Sequence, residues 1–329
     1  MSQVTEINGI NVAELLDFRE MVKQDPPKDA MNHKHFLAQM IYLALVMLLL
    51  GACGAPQPTP TVAPTMTPSV EVTSDVVYAT PLQTVGAAQR LDVYTPKEAG
   101  TWPVIVFLHG WNATKEGHIK ESQAIAEQGA VVFTVNWPTW IGDFAARENG
   151  MRFREMYEVL SCAIRFARAT ASDYGGDPSQ VTLVGFSYGA ETGAWVALAG
   201  DDLDRLWEEF ASIRGGPPPQ VECVVSGGSA NVDAFVGIAG EYHRVEPLQE
   251  RDPELWQIAS PYAHLGQNLD LRVRLIHGER DSTTRSEHSV QFNDVLAEAG
   301  YDTSLTLFDG THRVPIELTA AKVMEVAGE

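Results

Sequence analysis

The chain has 329 residues, 45% of them hydrophobic and 20% charged, with 27 Gly and 19 Pro, which excludes a collagen-like or wholly disordered polymer. Its 23 Lys and Arg stand against 43 Asp and Glu for a net charge of −20, so no basic face is available to neutralise phosphates and nucleic acid is argued against as a partner. Three cysteines, Cys53, Cys162 and Cys223, are too few for a disulfide framework and lack CxxC spacing, so neither a metal nor a haem is implied.

Taken along the chain, residues 1–30 carry three basic and six acidic side chains, the wrong sign for the leading region of a signal peptide, and read as a non-native extension with translation starting at Met31 or Met21. Phe36 to Leu50 is an apolar run broken only by Gln39 and preceded by Lys34. That is signal-peptide length, short of the roughly 20 residues that span a bilayer. Leu50-Gly-Ala-Cys53 resembles the lipobox of bacterial lipoproteins, which implies a signal peptide over 31–52, cleavage before Cys53 and a lipid on its thiol. The alternative is a spanning anchor with an incidental cysteine. Residues 53–74 are rich in Pro and Thr, a composition that favours extended polyproline and builds no core, and read as a tether. Residues 75–329 are the size of one large α/β domain. The expected location is extracytoplasmic, with the membrane as a partner through Cys53.

Within that domain, Val104 to Leu108, Val131 to Val135, Val181 to Val184, Ala234 to Ile238, Leu271 to Ile276 and Ser304 to Phe308 are short runs of β-branched and large apolar residues, and read as strands buried largely on both faces. Val77 to Ala79 and Leu91 to Tyr94 add antiparallel edge strands. Helical spacing links Met156, Val159, Leu160, Ile164 and Ala167, and again Val290, Phe292, Val295 and Leu296. Strand and helix in alternation predict a mostly parallel sheet covered by helices on both faces. Leu203, Leu206, Trp207 and Phe210 form one apolar stripe on an acidic segment, a short helix that either docks on the core or serves as a small lid.

Gly185-Phe-Ser187-Tyr-Gly189 sits between a strand and a helix-prone run. The turn is so tight that Ser187 must take a strained backbone conformation to lift Oγ above the sheet, and residues larger than Gly at 185 and 189 would collide with their neighbours. A serine hydroxyl is a weak nucleophile and needs a His base, itself oriented by an acid. Of His109, His118, His243, His264, His277, His288 and His312, only His312 lies in a loop beyond the last strand, where it can swing over the sheet edge toward Ser187. Asp281, just past the strand ending at Ile276, is the acid, with Glu279 and Asp309 as competitors. The oxyanion would be met by the backbone N–H of Tyr188 and, from the loop His109-Gly-Trp-Asn112, that of Trp111. His109 braces that loop. Trp111, Trp137, Trp140 and Phe144, from two loops at one sheet edge, wall a substrate pocket or pack. Cys162 and Cys223 are either a pair or two buried thiols.

With these residues placed, the chain resembles the α/β-hydrolases, in their esterase and lipase branch. The resemblance rests on Leu91-Asp-Val-Tyr-Thr-Pro96, Phe107-Leu-His-Gly110, Tyr174-Gly-Gly-Asp-Pro178, Ala259-Ser-Pro-Tyr-Ala-His264 and Ile276-His-Gly-Glu-Arg-Asp281. It implies a cofactor-free serine esterase acting on a small-molecule ester through an acyl-enzyme. A peptidase or amidase of the same fold, or a catalytically silent surface binding protein, are the rival readings. Two segments depart from those relatives. His109-Gly-Trp-Asn112 replaces a Gly-rich HGGG loop, and Asn136-Trp-Pro-Thr-Trp140 stands where many carry Tyr-Arg-Leu-Ala-Pro.

Overall fold

The computed structural model describes residues 6–7, 10–11, 69–80, 88–139, 151–214 and 221–328. The chain divides into two compact units, Met1–Thr65 and Met66–Glu329. In the first, β1 (Glu6–Ile7) pairs antiparallel with β2 (Ile10–Asn11). The segment 31–52 read as a signal peptide, Cys53 and the Pro/Thr-rich residues up to 68 lie outside the described residues. Among the described residues no helix is long and apolar enough to cross a membrane.

The second unit is built on an eight-stranded sheet of β3 (Val70–Ala79), β4 (Gln89–Pro96), β5 (Trp102–Leu108), β6 (Val131–Val135), β7 (Gly176–Phe186), β8 (Ala234–Ile238), β9 (Arg272–Gly278) and β10 (Asp302–Phe308). Their spatial order is β10-β9-β8-β7-β5-β6-β4-β3. β3 and β4 run antiparallel to their neighbours and the other pairs are parallel. The order reverses around β5, so the loops that leave β5, β7, β8, β9 and β10 at their carboxyl ends share one edge. One boundary read from sequence is corrected. β3 begins at Val70, inside the segment 53–74 assigned to the tether. Its first turn of sequence alternates Val with Glu and Thr, and Glu71 to Thr73 are exposed, so composition alone did not separate an edge strand from a linker.

Alternation along the strands sorts side chains to two core layers. From β5, Val104, Val106 and Leu108 enter the larger layer, with Leu160 and Ile164 of α2 (Met151–Thr170), Trp195 of α3 (Tyr188–Ala199) and Phe292 of α7 (Ser286–Ala299). Ile105 and Phe107 enter the other, with Ile125 of α1 (Ile119–Ala126) and Val323 of α8 (Ile316–Ala327). Both faces are therefore covered, which is why the central strands read as nearly continuous apolar runs. The acidic segment forms α4 (Asp202–Arg214), and its Leu203, Trp207 and Phe210 are buried in the larger layer. It docks on the core and is not a lid. Two short helices, α5 (Leu248–Arg251) and α6 (Pro253–Ala259), precede β9. Cys162 of α2 and Cys223 form a disulfide with Cα atoms 5.0 Å apart.

Candidate active site

The tight turn from β7 into α3 places Ser187 at φ 56° and ψ −117°, a backbone conformation that side-chain-bearing residues rarely adopt. The glycines on either side are needed for contact reasons. A Cβ on Gly185 would lie 2.1 Å from Gly189 O, and one on Gly189 would lie 2.6 Å from His109 O. The elbow is thus wedged against its own helix on one side and against the end of β5 on the other.

His312, in the loop after β10, brings Nε2 to 3.1 Å from Ser187 Oγ. Its Nδ1 lies 2.7 Å from Asp281 Oδ2. The carboxylate accepts this Nδ1–H, which leaves Nε2 unprotonated and facing the serine hydroxyl. Asp281 is buried, and its Oδ1 accepts N–H bonds from Thr283 at 2.8 Å and Thr284 at 3.1 Å. Burial works to raise its carboxyl, but the His312 hydrogen bond and these two N–H groups outweigh it, and the group titrates below the ordinary aspartate value. The competitors stand elsewhere. Glu279 is exposed, and Asp309 pairs with Arg280 at 2.9 Å on the surface.

Three side chains at this site were missed from sequence. His277, at the end of β9, is buried with Nε2 3.1 Å from Asp281 Oδ2 and 3.0 Å from Thr284 O. Both partners only accept, so Nε2 carries the proton, and Nδ1, 2.7 Å from Ser289 Oγ, accepts from that hydroxyl in the neutral ring. Thr284 Oγ1 lies 3.0 Å from both Asp281 Oδ2 and Ala239 O. Asp281 is thereby fixed by a second imidazole and a hydroxyl besides the two backbone donors. The sequence signal was a polar His ending an apolar strand run, which on its own reads as a satisfied core residue.

The loop after β5 lies close to the nucleophile. A Cβ on Gly110 would lie 3.2 Å from Ser187 Cβ and 3.3 Å from Phe186 O, a tight fit that a larger residue could take only by small shifts of its neighbours. Tyr188 opens α3, where helix N-terminal N–H groups face outward. His109 holds the loop as read. Its Nδ1–H donates to Gly110 O at 2.8 Å, and its Nε2 accepts from Trp137 N at 3.4 Å. Burial lowers the His109 imidazole to about 4, so the ring stays neutral.

Of the aromatic residues read as pocket walls, Trp111 is 56% exposed. Trp137 is corrected. It is 4% exposed, its indole N–H donates to His109 O at 3.2 Å, and its ring stacks 5.6 Å from both His109 and Tyr188. It supports the loop from behind and offers no surface to a substrate. Trp140 and Phe144 lie outside the described residues. His264 is buried with Nε2 2.8 Å from Ile258 O, a bond that holds it in the fold.

A probable isoprenylcysteine alpha-carbonyl methylesterase of Oryza sativa subsp. japonica is 29% identical over 242 residues, 68% of this chain and 54% of the relative. Esterase LipC of Mycobacterium tuberculosis is 27% identical over 236 residues, 64% of this chain and 52% of that protein. The chain spans about half the length of these two curated relatives. Among solved structures, a truncated carbohydrate esterase from gut microbiota aligns at TM-score 0.60 and 18% identity, over 80% of this chain and 99% of that one. A propionate-bound esterase of Thermogutta terrifontis aligns at TM-score 0.56 and 20% identity, over 80% and 94%. These likenesses give the fold, which is that of the α/β-hydrolases. The BD-FAE family model matches residues 91–296, more than half of the chain and including Ser187 and Asp281. The chain belongs to the BD-FAE family.

Proposed function

We propose that the protein is a carboxylic ester hydrolase that cleaves esters of small or moderate size with Ser187 as nucleophile, His312 as base and Asp281 as the acid that orients it. The supporting observation is the unbroken hydrogen-bonded line from Ser187 Oγ through His312 to a buried, low-titrating Asp281. In the reaction Oγ attacks the ester carbonyl while its proton passes to His312 Nε2, and the carbonyl electron pair moves to the oxygen. That oxyanion is met by the N–H of Tyr188 and of Trp111. As the intermediate collapses, the C–O bond to the alcohol breaks, and His312 gives its proton to the departing oxygen. Water then attacks the acyl-Ser187 ester by the same route and releases the acid. The esterase names of the curated relatives agree with this reading.

A panel of p-nitrophenyl esters run beside peptide amides tests it. Turnover of acetate and butyrate esters in preference to amides is expected, and Ser187→Ala is expected to abolish it with the fold retained by circular dichroism. A Ser187→Ala protein with a tenth of wild-type kcat would remove Ser187 from the role.

We further propose that the mature protein starts at Cys53, lipid-anchored on the extracytoplasmic side of a bacterial membrane, with the Pro/Thr-rich segment as tether. The disulfide between Cys162 and Cys223 favours an oxidising compartment. Radiolabelled palmitate supplied to expressing cells should label wild type and not Cys53→Ala, and equal labelling would refute the anchor.

A further inference from the structure

The loop after β8 and the first turn of α7 both rise from the sheet edge that carries Ser187. Together they bring Glu241, His243 and His288 into one cluster, with a ligand atom of each within 4.8 Å of the others. The two imidazoles meet edge to face with centroids 3.9 Å apart. His288 is 8% exposed, and among the buried side-chain atoms its Nδ1 and that of His243 find no hydrogen-bond partner. Two desolvated imidazole nitrogens without partners are costly unless something accepts their lone pairs. Glu241 adds a carboxylate, one oxygen of which accepts from Arg244 Nη2 at 2.8 Å. Two imidazoles and one carboxylate are the donor set that binds Zn²⁺ and its late-transition neighbours, leaving a coordination position open.

We propose that Glu241, His243 and His288 form a binding site for a divalent transition-metal ion of the Zn²⁺ class, separate from the catalytic triad. In a tetrahedral zinc site, ligand atoms stand about 3.3 Å apart, so from separations within 4.8 Å the cluster closes around the ion by up to about 1.5 Å. The half-buried Glu241 and His243 supply that movement while His288 stays fixed in the core. The site adjoins the active site through two connections. Ser289, next to His288, holds His277, which bonds Asp281. Arg244, beside His243, bridges Glu241 to the buried Glu191 of the elbow helix at 3.0 Å and lies over the Tyr188 ring at 5.3 Å. An ion drawing on Glu241 competes with Arg244 for the carboxylate.

The test is Zn²⁺ binding to the full chain, read by competition with a chromophoric chelator and by thermal shift. One equivalent should bind to wild type and raise Tm. His243→Asn, His288→Asn and Glu241→Gln should each weaken that binding at least tenfold and lose the shift, while His33→Asn/His35→Asn, in the basic stretch of the leader, should not. Circular dichroism in the absence of metal identifies any variant that fails to fold, and Glu241→Gln, which keeps an acceptor for Arg244, is the mildest of the three. Mg²⁺ should give no shift. Binding that is unchanged in all folded cluster variants, or that is lost only with the His33 and His35 change, would overturn the site.

Discussion

At the scale of single residues, the acid assignment separates two carboxylates two positions apart. Asp281 faces inward and takes His312, His277, Thr283 and Thr284 on its two oxygens, whereas Glu279 is exposed. Asp281→Asn would place an amide where His312 needs an acceptor, leaving the imidazole free to present Nε2–H to Ser187. A loss of about 10⁴ in kcat is expected, the magnitude found when the Asp of a serine-protease triad becomes Asn, with Glu279→Gln within a few-fold of wild type. The reverse ranking in kcat would make Glu279 the acid. That Ser187, His312 and Asp281 meet at one sheet edge was legible in the sequence because each stands just after a strand, and chain order limits what can reach that edge. His277 was not, since its role comes from Asp281 and Ser289 folding onto it. Trp137 was misread because a loop aromatic has the same sequence appearance whether it packs or faces a ligand.

Among elements, the strand runs were the clearest signal, and Val131–Val135 and Ala234–Ile238 have the limits read from sequence. They are buried on both faces, so every position had to be apolar or β-branched. β3 was only half visible because its start is exposed on both faces, Glu71 to Asp75 all lying at the surface, and is largely polar. The Cys162–Cys223 pairing was undecidable from spacing, since it depends on where residues 221–225 lie. Those residues pair with the end of β3 through Thr80 N–H to Glu222 O and Val224 N–H to Tyr78 O, both at 2.9 Å, and this sets Cys223 against α2. The sequence separation of the two cysteines is 61, and the closed loop contains β7, the elbow, α3 and α4. Constraining a loop of that length in the unfolded chain stabilises by about 4 kcal/mol at most, with 2 to 4 typical. Cys162→Ser/Cys223→Ser should therefore lower the urea midpoint by an amount worth about 2 to 4 kcal/mol. An unchanged midpoint would mean that backbone pairing alone secures the segment.

For the whole molecule, two electrostatic effects act in opposite directions as the medium is acidified. The net charge of −20 makes the compact state repel itself near neutrality, and protonating carboxylates relieves that repulsion. Buried imidazoles act the other way. Burial lowers His118 to about 4, helped by the nearby His109 and Arg313, and lowers His109 to about 4 as well. The unfolded chain takes up these protons near 6.5 while the fold resists them, so the unfolded state binds more protons between 6.5 and 4. The contribution is fully present above 6.5 and is lost as pH falls through 4, at most about 3 kcal/mol for each ring. Asp281, held low, adds a loss further into acid. Salt separates the two effects, because in about 0.5 M NaCl the screening length lies between the ~10 Å of 0.1 M and the ~3 Å of 1 M, so surface repulsion is largely screened while desolvation of a buried ring is untouched. His118 sits against Phe107 at 4.8 Å and Phe186 at 5.2 Å, a setting that accepts His118→Phe. Urea unfolding at pH 7 and pH 4.5 in that salt should show wild type losing stability on acidification and His118→Phe losing less, by about 2 kcal/mol. Equal losses in the two proteins would mean that His118 accepts its proton inside the fold as readily as in water, and the acid limit would then have to come from the carboxylates.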